Sequence, residues 1–240
     1  MLRTFHFFLN LIEYFYKKKI NQTLKKNLPK KINVFFDIGA HHGETTLEML
    51  NNFLIKDSYL FEPRIDNFKI LSKKINNNNS SNFRLFNFAL GDENKFAIIN
   101  EVLESSSSTL NSIDTTTKYF KRKKKILNFF SSKLEIKKDK IEIRSFYEFI
   151  YQHNIKKIDF IKIDTEGYEY KILNNIQKYL KNIGVIQFEH HYDLMILKNY
   201  KFRHINELLI KNNFKQYFKS RMRFRKSFEY IYINRDYKFD

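Results

Sequence analysis

Cysteine is absent from the 240-residue chain. That excludes disulfides, thiolate metal centres and cysteine nucleophiles, and it leaves the redox compartment open. Tryptophan is absent too, and only five glycines and two prolines occur. Such scarcity argues against a fibrous or low-complexity chain and makes each glycine a positional choice. No apolar run is long enough to cross a bilayer: the best candidate, residues 1–20, is broken by Arg3, His6, Asn10 and Glu13. No small-residue cleavage site follows it, so it does not read as a signal peptide. Acidic residues are in short supply, 26 against 44 Lys plus Arg, for a net charge of +18.

What is present suits a globular chain. Hydrophobic residues make up 42% and charged residues 29%, enough for one α/β domain with a modest appendage. The positive balance points to polyanions or an anionic membrane surface. A bland explanation competes with it, because Lys, Asn, Ile, Phe and Tyr, all abundant here, share AT-rich codons. Residues 1–31 read as an amphipathic helical extension with Phe5, Phe8, Leu9, Ile12, Phe15 and Tyr16 at helical spacing. Such a helix either lies on an anionic membrane surface, anchored by Lys17, Lys18 and Lys19, or packs its stripe on the domain.

From residue 32 to residue 240 the pattern is that of one domain. Strands are expected at Val34–Ile38, Ser58–Phe61, Phe83–Phe88, Ile158–Ile163 and Val185–Phe188. Helices are expected at Glu44–Phe53, Ile65–Ile75, Phe146–Gln152, Glu169–Leu180 and Ile205–Asn212. The βαβα rhythm predicts a parallel sheet covered on both faces, with Phe228–Ile233 joining its edge as an antiparallel strand. An irregular insertion is expected from about residue 93 to 140. It carries the run Ser105–Ser108 and the basic cluster Lys121, Arg122, Lys123, Lys124 and Lys125. A second basic stretch, Arg221, Arg223, Arg225 and Lys226, precedes the last strand. Either could steer an anionic substrate or simply be solvated.

The informative segment is Asp37-Ile38-Gly39-Ala40-His41-His42-Gly43. A buried strand ends in an acid, a turn with two glycines follows, and a helix begins whose free amides suit a negative group. A dinucleotide loop would read G-x-G-x-x-G; this one reads D-x-G-x-x-x-G. Asp37 would repel a pyrophosphate but suits the ammonium of S-adenosylmethionine. Glu62, at the end of the next strand, stands where a ribose diol is gripped. Asp92, after Ala89-Leu90-Gly91, is a candidate for the adenine edge. At the end of a later strand Asp164 and Glu166 emerge where open α/β sheets place their chemistry, and Gly167 permits the turn. Glu189, His190 and His191 add acid and imidazole at the same rim.

Together, FFDIGAHHGETT, FEP, ALGD, IDFIKIDTEGYEYKIL and VIQFEH resemble the FkbM family of S-adenosylmethionine-dependent methyltransferases, over about residues 32–235. The resemblance implies a Rossmann-like class I methyltransferase fold: a mostly parallel seven-stranded sheet with helices on both faces. It implies S-adenosylmethionine as cofactor and O-methylation of a sugar, glycan or natural-product hydroxyl. Carried over, Asp37, Gly39, Ala40, Gly43, Glu62 and Asp92 become cofactor contacts, and Asp164 and Glu166 line the reaction face.

A sugar hydroxyl is a weak nucleophile and benefits from a positioned base. Asp164, Glu166 and His190 are the leading candidates, with His191, His41 and His42 behind them. Grouped carboxylates suit Mg²⁺ as well as a base, and the spacing does not decide between the two; no dedicated metal site is expected. Two other readings stand beside the glycan enzyme. One is an RNA methyltransferase, favoured by charge but lacking a visible RNA-binding module. The other is a non-catalytic binding protein of the same fold. The expected location is cytoplasmic, at the inner face of the membrane if the extension binds lipid.

Overall fold

The computed structural model describes residues 17–76, 78, 80–102, 107–129, 136–192, 194–221 and 227–240. Runs such as Ile158–Ile163, apolar on both faces apart from Asp159 and Lys162, have no polar face to offer solvent, so they must lie between two covering layers. They do. The central sheet has seven strands in the order β10-β11-β9-β8-β1-β2-β3. β1 is Lys31–Ile38, β2 Leu54–Phe61, β3 Asn82–Phe86, β8 Ile158–Ile163 and β9 Ile183–His191, all parallel. β11 (Ser227–Asn234) runs antiparallel to β9, and β10 (Phe214–Arg221) runs antiparallel to β11. Every residue of β8 and β9 is buried.

One face carries α5 (Phe146–Gln152), α6 (Glu169–Asn175) and α7 (Phe202–Lys211). Ile205, Leu208 and Leu209 of α7, at i, i+3 and i+4, pack there with Phe36, Ile161, Phe188 and Tyr232. The other face carries a helix over residues 17–27, here α1, and α2 (Glu44–Asn52). Ile20, Leu24 and Leu28 pack with Phe35, Met49, Phe160 and Ile231. Burying three aliphatic side chains is worth several kcal/mol, at about 1.5–3 kcal/mol each. The described part of the N-terminal segment therefore packs on the domain, while the stripe from Phe5 to Tyr16 lies outside the described residues. Among the described residues no helix is long and apolar enough to cross a membrane. α3 (Ile65–Ile75) covers β2 and the turn after β1 through Leu71, Ile75, Leu60 and Ala40.

Four expectations are corrected. Phe228–Ile233 is antiparallel, as expected, but not at the edge: β10 lies outside it. The predicted strand Phe83–Phe88 ends at Phe86, and Ala89–Gly91 forms a separate strand, β4. The predicted helix Glu169–Leu180 stops at Asn175 and continues as a 3-10 turn, Gln177–Asn182. The insertion is not irregular. β5 (Lys95–Val102), β6 (Ser107–Thr109) and β7 (Ile136–Ser145) join β4 in a second sheet, order β4-β7-β5-β6, and α4 (Lys118–Phe129) connects β6 to β7. Phe120 of α4 is buried with Met195 and Ile196, so the insertion seals against the segment after β9.

Candidate active site

The chemistry gathers where the parallel strands end. Glycine at position 39 brings two of those ends together: its φ is +84°, and a Cβ there would lie 2.0 Å from the carbonyl oxygen of Asp164. The Asp164 amide in turn donates to the Ile38 carbonyl at 2.9 Å. The amides of Gly39 and Ala40 both donate to the Phe61 carbonyl, tying the loop after β1 to β2 as well. The Ala40 side chain is buried against Leu60, Leu71 and Ile75.

Asp37 is turned into the protein, 1% exposed, and accepts a 2.6 Å hydrogen bond from Thr46 in α2. Burial pushes its pKa up to about 6, against the opposing pull of Thr46 and Lys162. Gly43, at φ +83°, precedes α2, whose start carries no side-chain cap. Glu62 is 5% exposed and accepts the His41 and Arg64 amides at 2.9 Å each. Burial raises its pKa, and those two amides oppose the shift. Asp92 sits against α6, where it accepts from Tyr168 Oη at 2.7 Å.

The turn after β8 is built tightly. Glu166 and Gly167 have positive φ, +50° and +103°. Glu169, fully buried, accepts from the Gly167 amide at 2.8 Å and from Thr165 Oγ1 at 3.1 Å. Thr109 and Asn111, contributed by β6 and the segment after it, donate to the carbonyls of Glu166 and Gly167 at 2.6 and 2.8 Å. The second sheet therefore clamps the turn that carries Asp164 and Glu166.

Strand register then assembles a polar ladder on the α1–α2 side. Asp37 is level with Lys162, Lys162 with Gln187, Glu189 with Glu229, and His191 with Ser227. Lys162 Nζ lies 3.0 Å from Asp164 and 3.6 Å from Glu229. Burial alone would lower the Lys162 pKa, but Asp164, Glu229 and Glu189 outweigh it and hold the ammonium charged. Gln187 Nε2 donates to Glu229 at 2.7 Å. Burial and the neighbouring Asp164 push the Glu189 pKa up to about 8. His191 Nε2 is 2.7 Å from Glu166 Oε2 and 3.3 Å from Glu189 Oε1.

Successive side chains of a strand point to opposite faces. His190 therefore leaves this ladder. It is buried among Tyr192, Tyr200 and Phe202, and burial, helped by Lys198 and His191, lowers its pKa to about 3. The imidazole beside the carboxylates is that of its neighbour. Asp164 and Glu166 are brought together with His191; His190 is not. Lys162 and Glu229 are the site residues that the sequence reading did not single out. Their signal is a charge within otherwise apolar strands.

Residues 37–217 match the methyltransferase FkbM domain. The chain belongs to the FkbM methyltransferase family. Its cofactor is S-adenosylmethionine. The fold is similar to that of an FkbM methyltransferase from Methylobacillus flagellatus KT, with a TM-score of 0.54 at 15% identity over 86% of this chain. The match spans 44% of that longer protein. It is also similar to TrmK of M. capricolum in complex with S-adenosylhomocysteine, with a TM-score of 0.49 and 13% identity over 91% of this chain and 69% of that one. A third similarity is to an rRNA methylase from Streptococcus thermophilus, with a TM-score of 0.49 and 12% identity over 90% and 94% of the two chains. No curated protein matches the chain.

The residues of this FkbM domain fit the cofactor. A buried, doubly anchored acid at the end of β2 supplies an acceptor for a diol, and an uncapped helix start suits a carboxylate. Asp164, paired with a charged lysine and 37% exposed, faces the site with a negative charge that suits a sulfonium.

Proposed function

We propose that this FkbM domain methylates a hydroxyl group of a sugar, glycan or related small molecule, with the His191–Glu166 pair as the base. The observation that carries this reading is the 2.7 Å contact between His191 Nε2 and Glu166 Oε2 at the ends of β9 and β8. A carboxylate holding an imidazole orients the ring and stabilises its protonated form. S-adenosylmethionine supplies an electrophilic methyl group on a sulfonium. With the cofactor bound, the His191–Glu166 pair would take the proton of the acceptor hydroxyl as that oxygen receives the methyl group. Asp164 contributes a fixed negative charge, held in place by Lys162. Glu62 would grip the ribose and the loop from Gly39 to Gly43 would hold the methionine end, while Asp37 supports that loop through Thr46. Asp92 is assigned to the adenine edge.

Calorimetry with S-adenosylhomocysteine tests the cofactor half of the proposal. Glu62→Ala should weaken binding by roughly 10–100-fold, because a hydrogen bond to a charged group contributes about 1.5–3 kcal/mol. Unchanged affinity would remove Glu62 from the site.

One observation favours an anionic acceptor, including RNA as the second reading. α4 exposes Lys118, Lys121, Arg122, Lys124 and Lys125 and has no acid in its first turn, so its charge opposes its own dipole. With such an acceptor, moderate salt should lower kcat/KM while leaving S-adenosylhomocysteine affinity nearly unchanged. Changing Lys121, Arg122, Lys124 and Lys125 to Gln should mimic the loss for an RNA or a phosphorylated sugar. If neither treatment has an effect, the acceptor is neutral.

A further inference from the structure

We propose that His41, His42 and Glu44 form a binding site for a divalent transition metal at the edge of the cofactor loop. His41 and His42 lie in the loop assigned to the methionine end, but the methyl-transfer reading gives none of the three side chains a role. The left-handed backbone of His41, φ +50°, folds its ring over its neighbour, and the two imidazoles stack with centroids 3.8 Å apart. Glu44, in the first turn of α2, spans both: its Oε2 lies 3.4 Å from His41 Nδ1 and its Oε1 lies 3.6 Å from His42 Nδ1. One ligand atom from each residue falls within 4.8 Å of the others.

Those separations approach the spacing that coordination needs. A tetrahedral ion with bonds of about 2.0–2.1 Å sets its ligand atoms about 3.3 Å apart, so an ion could enter with small side-chain shifts. The tautomer is also suitable. His42 Nε2 is 3.1 Å from Asn67 Oδ1. A carboxamide oxygen only accepts, so Nε2 carries a proton, and in the neutral ring that leaves the Nδ1 lone pair for an ion. An outer hydrogen bond on the remote nitrogen is how metal-bound histidines are oriented. Asn67 itself is buried, in α3.

Two imidazoles and one carboxylate select Zn²⁺, Co²⁺ or Ni²⁺ over Mg²⁺ and Ca²⁺, which prefer all-oxygen shells. Three protein ligands leave a fourth position to water, and the His41 and His42 side chains are 33% and 27% exposed, so the ion has an entry path. Lys74 opposes the site, with Nζ 3.6 Å from Glu44 Oε1. The loop matters beyond the ion, because the His41 amide is one of the two that hold Glu62.

The test is calorimetry of the untagged protein with Zn²⁺ and with Mg²⁺. Saturable binding of one Zn²⁺ per chain is expected, with Mg²⁺ silent. His42→Ala and Glu44→Gln should each weaken Zn²⁺ binding by at least about tenfold, and Asn67→Ala by roughly tenfold. Lys74→Gln should instead tighten it about two- to fivefold, a gain that a misfolded variant cannot mimic. Absence of Zn²⁺ binding at millimolar metal would overturn the site. So would equal Mg²⁺ binding, or a wild-type affinity retained in both His42→Ala and Glu44→Gln.

Discussion

His191→Asn and Glu166→Gln are each expected to lower kcat by at least about a hundredfold, the lower end of what a positioned general base contributes. S-adenosylhomocysteine affinity should change little, because neither residue is assigned to the cofactor. The split between kcat and binding separates a role in proton transfer from a collapse of the site. His190→Asn provides the contrast. Its ring packs among Tyr192, Tyr200 and Phe202 on the opposite side of β9, so the variant should lose stability and keep most of its turnover. The double variant at 166 and 191 should be little worse than either single one, since groups acting as one unit are not additive. If His191→Asn turns over normally while His190→Asn does not, the base has been assigned to the wrong face of the strand.

That contrast also shows what could be read from the residues alone. The runs Val34–Ile38, Ile158–Ile163 and Val185–Phe188 announced buried parallel strands because they are apolar on both faces, and the sheet bears them out. Asp164, Glu166 and the histidines were legible as a rim because they follow those runs. Which of two adjacent histidines faces the carboxylates depends on register, and a one-residue difference exchanges the faces. The ladder of Lys162, Gln187, Glu189 and Glu229 joins positions up to 67 residues apart, from Lys162 to Glu229, and no local spacing announces it. The second sheet stayed hidden for another reason. β5 buries Ile99 and half-buries Ala97 but exposes Phe96 and Ile98, so its alternation lacks the usual polar face. β10, with Lys215 and Lys219 on an edge strand, reads as solvated loop.

Gly39→Ala should abolish measurable S-adenosylhomocysteine binding and lower the melting temperature by roughly 5–15 °C. Two costs combine there. A left-handed backbone costs a residue with a Cβ about 1–2 kcal/mol. The new methyl would also lie 2.0 Å from the Asp164 carbonyl oxygen, a backbone atom at the end of β8 that has no rotamer to retreat into. Overpacking of that kind typically adds about 1–3 kcal/mol, and each kcal/mol lowers Tm by about 2–4 °C at this chain length. The loop after β1 must then move away from β8, taking with it the His41 amide that anchors Glu62 and the Ile38 carbonyl that receives the Asp164 amide. Gly43→Ala separates the two costs. Its φ is +83°, almost the same, but its Cβ would press on the end of the Leu71 side chain at 2.9 Å, which can rotate aside, and touch Ile75 at an ordinary 3.8 Å. That variant should carry little more than the backbone cost and keep measurable cofactor binding. Equal effects at the two glycines would mean that backbone conformation alone matters, and that close contact between the cofactor loop and the end of β8 is not what assembles the site.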